Sequence, residues 1–73
     1  MDRKLPVLKP KRVIRELERN GFSVHRMTGS HYILKKGKLR VTVPYHNGDL
    51  KPGTLASIIK QAGLTVEAFK DVI

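Results

Sequence analysis

The chain has 73 residues, of which 40% are apolar, so it can form one small domain with a thin core. Fifteen Lys and Arg residues against six Asp and Glu residues give a formal net charge of +9. The absence of cysteine excludes a disulfide framework and a thiolate metal site. No apolar run has the length of a signal peptide or a membrane span, so we expect a soluble, cytoplasmic protein with no membrane partner.

The excess of positive charge predicts a polyanionic partner. A small domain needs a net charge of only about 2 to 8 to stay soluble, and the charge of this chain lies above that range. Among the common partner classes, nucleic acid is the one that such a field attracts most strongly. An acidic protein that binds the same surface is compatible with this prediction.

A first helix is predicted from Pro10 to Asn20, after a loose basic lead-in over residues 1–8 of a single domain, 1–73. The apolar residues at helical spacing are Val13, Ile14 and Leu17. Gly21 can take the left-handed conformation that ends a helix and lets Phe22 fold back onto it. The opposite face is basic, which is ordinary for a solvated helix face and equally compatible with contacts to phosphates. The candidates for such contacts are Lys11 and Arg15.

Three strands follow, joined by tight turns with the sequences TGS and KKGK. They are predicted at Phe22–Met27, His31–Lys35 and Leu39–Pro44. A two-residue loop at Lys36-Gly37 pairs His31 with Thr42, whereas a three-residue loop pairs Ile33 with Val41. We favour the two-residue loop.

This register gives the sheet one apolar and one basic face, because directly opposed residues share a face. The apolar face holds Tyr32, Leu34, Leu39, Val41 and Val43. The other face holds His31, Ile33, Lys35, Lys38, Arg40 and Thr42. A sheet covered by helices on one side has this pattern.

A second helix is predicted to begin at Pro52 and to end at Gly63. Its apolar stripe consists of Leu55, Ile58, Ile59 and Ala62. Thr65 then begins a short third helix over residues 66–73. The order of elements predicts an α+β fold in which helices cover one face of a three-stranded antiparallel sheet.

Several local motifs together resemble the HicA toxin family, also called YcfA-like proteins. They are GF after the first helix, GSH at the start of a strand, VTVP at the end of the next, and DLKPGTLASIIKQAGLTVEAF. Their order and spacing match from about Val13 to Val72. GSH alone is common by chance, whereas the whole set is specific.

The resemblance implies a double-stranded-RNA-binding-domain-like fold, α-β-β-β-α, with a short extra C-terminal helix. Members of the family are toxins of type II toxin–antitoxin modules. They are endoribonucleases (mRNA interferases) that cut mRNA, stop translation and growth, and are neutralised by a HicB antitoxin. The catalytic histidine of the GSH motif corresponds to His31.

The residues can support metal-free RNA cleavage. A histidine can take the proton of the 2′-hydroxyl because the ordinary pKa of imidazole lies near neutral pH. Cations stabilise the charge that builds on phosphorus, and the candidates are Lys35, Lys38 and Arg40. Gly29 allows a close approach of the backbone to a phosphate, and Ser30 offers a hydroxyl and an amide.

The remaining candidates are less closely tied to the motif. His46 follows the third strand, whose end lies beside the start of the second, so it could act as the general acid. Tyr45 is the candidate for stacking on a base, whereas Tyr32 is expected in the core. We expect no metal, because three histidines without ligand spacing do not form a site, and no other cofactor.

Other interpretations remain open. His31 is compatible with a polar residue at the start of a strand that has no chemical role. A non-catalytic RNA- or DNA-binding module would use the same basic face. A small structural protein of the ribosomal type would carry long basic tails, and only residues 1–8 could form one.

Overall fold

The computed structural model describes residues 8–46, 48–65 and 67. Its elements are α1 (Pro10–Arg19), β1 (Ser23–Met27), β2 (His31–Lys36), β3 (Leu39–Pro44) and α2 (Pro52–Gln61). The strands form one antiparallel sheet in the order β1-β2-β3. The predicted α+β fold is therefore confirmed. Apart from Glu67, the predicted C-terminal helix lies outside the described residues.

Both helices end in the same way, at a glycine in the left-handed region. Gly21 has a φ of +94° and Gly63 has a φ of +73°. At the first, the Phe22 N–H donates to the Leu17 carbonyl at 3.0 Å, and at the second, the Leu64 N–H donates to the Ile59 carbonyl at 3.1 Å. These are Schellman bonds, which satisfy carbonyls that the helix leaves free.

The core lies between the helices and the apolar face of the sheet. α1 and α2 bury the stripes predicted for them. β2 contributes Leu34 and β3 contributes Val41 and Val43, all with no exposed surface. These residues have the alternating pattern of a sheet with one covered face. No helix within the described residues is long and apolar enough to cross a bilayer.

The predicted register of the second hairpin is wrong, although the predicted faces are right. Lys36 pairs with Leu39 and His31 pairs with Pro44, so the loop is Gly37-Lys38. Gly37 has a φ of +58°, and no described non-glycine residue has a positive φ. A type I′ loop at Lys36-Gly37 needs a positive φ at both residues, which is unfavourable for the lysine. A type II′ loop at Gly37-Lys38 needs a positive φ at Gly37 alone. The actual pairing differs from the predicted one by an even number of residues, so the side chains on the strands keep their predicted faces. Lys38 is the exception, since it was predicted on the open face and lies in the loop.

Candidate active site

His31 is held by the tight turn between β1 and β2. The Thr28 N–H donates to the His31 carbonyl at 2.8 Å, and the His31 N–H donates to the Thr28 hydroxyl oxygen at 3.0 Å. The same hydroxyl lies 3.2 Å from the His31 carbonyl, to which it can donate. Thr28 therefore fixes both backbone polar groups of His31. Sequence reasoning missed this role, although a threonine three residues before the histidine is a typical side-chain-to-backbone turn pattern.

The imidazole of His31 is exposed and contacts the neighbouring serine. Its Nδ1 lies 2.9 Å from the Ser30 hydroxyl oxygen. If Nδ1 carries the proton and donates it to Ser30, the lone pair of Nε2 faces solvent and can accept a proton. In that tautomer, the contact with Ser30 holds the ring in an orientation that suits a general base.

Gly29 is not required by the fold of the turn. Its φ is outside the left-handed region, unlike that of Gly21, Gly37 and Gly63. A methyl group added at Gly29 would meet no atom within 4 Å. Neither backbone strain nor packing within the described chain explains a glycine at this position. Its missing side chain leaves open space directly before the Ser30–His31 pair.

Among the residues that the structure describes, the cations on the open face of the sheet have no acidic partner. Lys35 and Arg40 are directly opposed on β2 and β3, an arrangement of like charges that is unfavourable unless an anion lies between them. Within the described residues, the ion pairs join Lys9 to Asp49, and Arg12 and Arg19 to Glu16. None of them involves the cations of the sheet face.

The predicted cations are farther from His31 than we expected. Lys35 is four residues along the same strand, which corresponds to about 13 Å, and Arg40 is opposite it. Lys38 lies in the loop at the far end of the hairpin and not on the sheet face. These side chains are too distant to share one phosphate with His31.

Arg26 is the cation that the topology brings to His31, and sequence reasoning missed it. A bulge at His25 sets the register of β1, and Arg26 pairs with Ile33, two residues from His31 on β2. Such diagonal neighbours are about 7–8 Å apart and within reach of long side chains. Arg26 is exposed and shares the open face with His31. The signal in the sequence was its position two residues before the TGS turn.

The family model described as the HicA toxin of bacterial toxin–antitoxin systems matches residues 10–64, more than half of the chain. The chain belongs to the HicA toxin family. It is therefore the toxin of a toxin–antitoxin system, and membership implies an antitoxin partner. A search of curated proteins gave no match.

In this HicA chain, the segment after β3 runs beside the turn, as predicted. The Tyr45 N–H donates to the Ser30 carbonyl at 2.8 Å. The Gly48 N–H donates to Nδ1 of His46 at 3.2 Å. A doubly protonated His46 could not accept this bond, so a role as general acid requires the loop to give it up.

The basic face of α1 lies in the helix layer, on the other side of the sheet from the open face. The described residues that line a shallow cavity of about 280 Å³ in this part of the HicA chain are the cations Lys9, Lys11, Arg12 and Arg15. One RNA segment therefore cannot contact these residues and His31 without passing around an edge of the molecule. Within the described residues, no three acidic or histidine side chains are grouped as metal ligands.

Proposed function

We propose that this HicA toxin is a metal-independent endoribonuclease that cuts mRNA, with His31 as the proton acceptor. The observation that carries the proposal is the exposed His31 imidazole, whose Nδ1 lies 2.9 Å from the Ser30 hydroxyl. It lies on a face whose cations form no ion pair within the described part of the chain. A module that only binds RNA has no need of an oriented imidazole. The proposal explains both the contact and the charge.

The reaction begins with the 2′-hydroxyl of the nucleotide before the scissile bond. Nε2 of His31 takes its proton while the 2′-oxygen attacks phosphorus. The bond between phosphorus and the 5′-oxygen breaks, and the products are a 2′,3′-cyclic phosphate and a 5′-hydroxyl. Ser30 acts as a positioning residue, because a bond from Nδ1 to its hydroxyl keeps Nε2 unprotonated before the transfer.

Arg26 supplies the positive charge nearest to the reacting phosphate. Negative charge grows on the phosphoryl oxygens in the transition state, and a guanidinium can donate two parallel hydrogen bonds to them. Its diagonal position relative to His31 supports this role. His46 remains a candidate for protonating the 5′-oxygen, with Tyr45 beside it as a candidate for base stacking.

Lys35, Lys38 and Arg40 bind phosphates farther along the same strand of RNA. Their distance from His31, about 13 Å at Lys35, suits a phosphate beyond the one that reacts. Lys11 and Arg15 bind a separate segment of a long RNA on the α1 side. If about five phosphates are neutralised on single-stranded RNA, log K falls with log salt with a slope of about −3.5.

The antitoxin partner is a HicB-type protein that covers the open sheet face. A folded acidic protein can bring carboxylates to Lys35 and Arg40, relieve their mutual repulsion and block access to His31. We expect an affinity in the nanomolar range or tighter. A complex in which substrate still reaches His31 would contradict direct occlusion. This toxin acts in the cytoplasm, where mRNA is found.

The decisive experiment compares His31→Ala with His25→Ala, a second exposed histidine on the sheet. Loss of the general base should lower the cleavage rate about a hundredfold to ten-thousandfold, whereas His25→Ala should keep the wild-type rate. Both variants should fold and bind RNA like the wild type, because an exposed histidine contributes little buried area.

Cleavage of a labelled transcript is measured with a chelator present throughout. Full cleavage by folded His31→Ala protein would remove the catalytic assignment. Loss of wild-type cleavage in chelator alone would contradict the metal-independent mechanism. Binding without any cleavage by the wild type would favour the non-catalytic RNA-binding module.

A further inference from the structure

The large apolar side chains exposed on the described surface fall into two groups. They are Val24 (40% exposed), Met27 (63%), Leu39 (39%) and Tyr45 (41%). Val24 and Leu39 lie toward the end of the sheet remote from His31, and Leu39 is next to the end of α2 at Gly63. Met27 and Tyr45 lie at the other end, beside the turn that holds His31.

Met27 and Tyr45 belong to one continuous row with Tyr32 between them. Met27 is directly opposite Tyr32 in the β1–β2 pair, so their side chains share a face. The ring of Tyr45 packs on that of Tyr32, with centroids 4.9 Å apart and planes at 45°. Tyr32 is half-buried and packs against the core. The inner ring therefore supports the outer one, which remains 41% exposed.

This row is attached to the candidate active site. The Tyr45 N–H donates to the Ser30 carbonyl at 2.8 Å, and Ser30 contacts the imidazole of His31. The row lies on the helix side of the sheet, whereas His31 and Arg26 lie on the open side. A nucleotide whose phosphate is at His31 can therefore place a neighbouring base over the turn and against Tyr45.

We propose that Met27, Tyr32 and Tyr45 form a platform on which one unpaired nucleobase next to the scissile bond stacks. The inference rests on the proposed function, since it assigns a second contact to the same RNA. Aromatic rings held by a neighbour and open on one face are typical of base-stacking sites, and methionine adds a polarisable edge. Three side chains are far fewer than the 20–30 residues per side of a typical protein interface. A nucleobase is the occupant that this area fits.

The platform has a chemical consequence for the choice of RNA. A base inside a duplex has no free face, so stacking on Tyr45 requires a nucleotide that is single-stranded or extruded. The fold resembles that of domains that bind double-stranded RNA, but this end of the sheet favours an unpaired substrate. Stacking tolerates any base, so the platform selects for unpaired structure more than for sequence.

The test measures affinity and not cleavage, so that it is independent of the catalytic proposal. Every variant carries His31→Ala, and each binds two single-stranded oligomers of equal length. One oligomer has a base at every position, and the other has abasic ribose throughout. Removal of the Tyr45 ring in Tyr45→Ala should weaken binding of the first oligomer about 5- to 100-fold. It should leave binding of the abasic oligomer unchanged.

Three further variants separate the possible causes. Tyr45→Phe keeps the ring and should bind both oligomers like the parent, whereas Met27→Ala should weaken only the oligomer with bases. Val24→Ala removes an apolar side chain that is as exposed as Tyr45 (40% against 41%) and lies on the same face at the far end of β1. It should change the affinity for neither oligomer. The salt dependence should be the same in all variants, because no phosphate contact is lost. Thermal melting establishes that each variant is folded.

The platform would be overturned if Tyr45→Ala lost affinity equally for both oligomers. It would also be overturned if Val24→Ala lost as much affinity for the oligomer with bases as Tyr45→Ala does. A folded Tyr45→Ala protein that binds both oligomers normally but loses affinity for the antitoxin would also overturn it, and would assign the patch to protein docking. The outcome does not depend on whether His31 cuts RNA. Failure of the catalytic proposal appears separately, as full cleavage by the His31→Ala protein.

Discussion

Substitution of Gly29 by alanine should separate stability from activity. The φ of Gly29 is outside the left-handed region, and the added methyl group would meet no atom within 4 Å. Alanine at such a position reduces the entropy of the unfolded chain and stabilises a protein by about 0.4–1 kcal/mol. In a domain of this size, that corresponds to a rise in melting temperature of about 2–8 °C.

The same methyl group occupies the space through which a phosphate would approach Ser30 and His31. Displacement of a reacting group by about 1 Å can lower a rate about a hundredfold. We therefore expect the Gly29→Ala protein to be as stable as the wild type or more so, and to cut RNA about 10- to 100-fold more slowly. Binding of long RNA should change little, since its phosphate contacts at Lys35 and Arg40 are intact.

Gly21→Ala is the matched control for this experiment. The φ of Gly21 is +94°, and its added Cβ would lie 3.2 Å from Cε of Lys36. The strain of a left-handed alanine costs about 1–2 kcal/mol, which lowers the melting temperature by about 4–16 °C. At temperatures at which the Gly21→Ala protein is folded, its RNA cleavage rate should equal that of the wild type. Thermal melts and single-turnover cleavage of one labelled transcript measure both quantities. Wild-type cleavage by folded Gly29→Ala protein would refute a close approach of phosphate at this turn.

Three further substitutions test the turn, the basic face and the core. Thr28→Val removes the hydroxyl that binds both backbone groups of His31, so we expect a loss of about 1 kcal/mol in stability and slower cleavage, with both recovered in Thr28→Ser. Lys35→Ala should leave stability unchanged or raise it, because it removes a like-charge pair. In RNA titrations, the slope of log K against log salt should become shallower by about 0.7, and an unchanged slope would exclude a phosphate contact. Leu34→Ala should cost about 2–5 kcal/mol in denaturant unfolding, whereas Ile33→Ala on the other face of the same strand should cost much less, and equal costs would contradict the described faces.

The sequence by itself determined the elements, their faces and the position of the histidine. Helix spacing, strand alternation and the glycines at the helix ends are local signals, and each refers to residues within a few positions of one another. The two-residue loop that we favoured put His31 on the open face, whereas the three-residue alternative would have moved it toward the helices. The actual pairing of His31 with Pro44 differs from the favoured pairing with Thr42 by an even number of residues, so His31 kept the predicted face.

Only the tertiary structure decided which residues meet across the strands. The loop at Gly37-Lys38 replaced the predicted one because the backbone conformation of the turn, and not side-chain alternation, sets the register. The bulge at His25 brought Arg26 to the row next to His31, and a bulge has no clear sequence pattern of its own. The packing of Tyr45 on Tyr32 and the bond from the Tyr45 N–H to the Ser30 carbonyl depend on the position of the chain after β3. Contacts of this kind depend on distances between strands, which local periodicity does not encode.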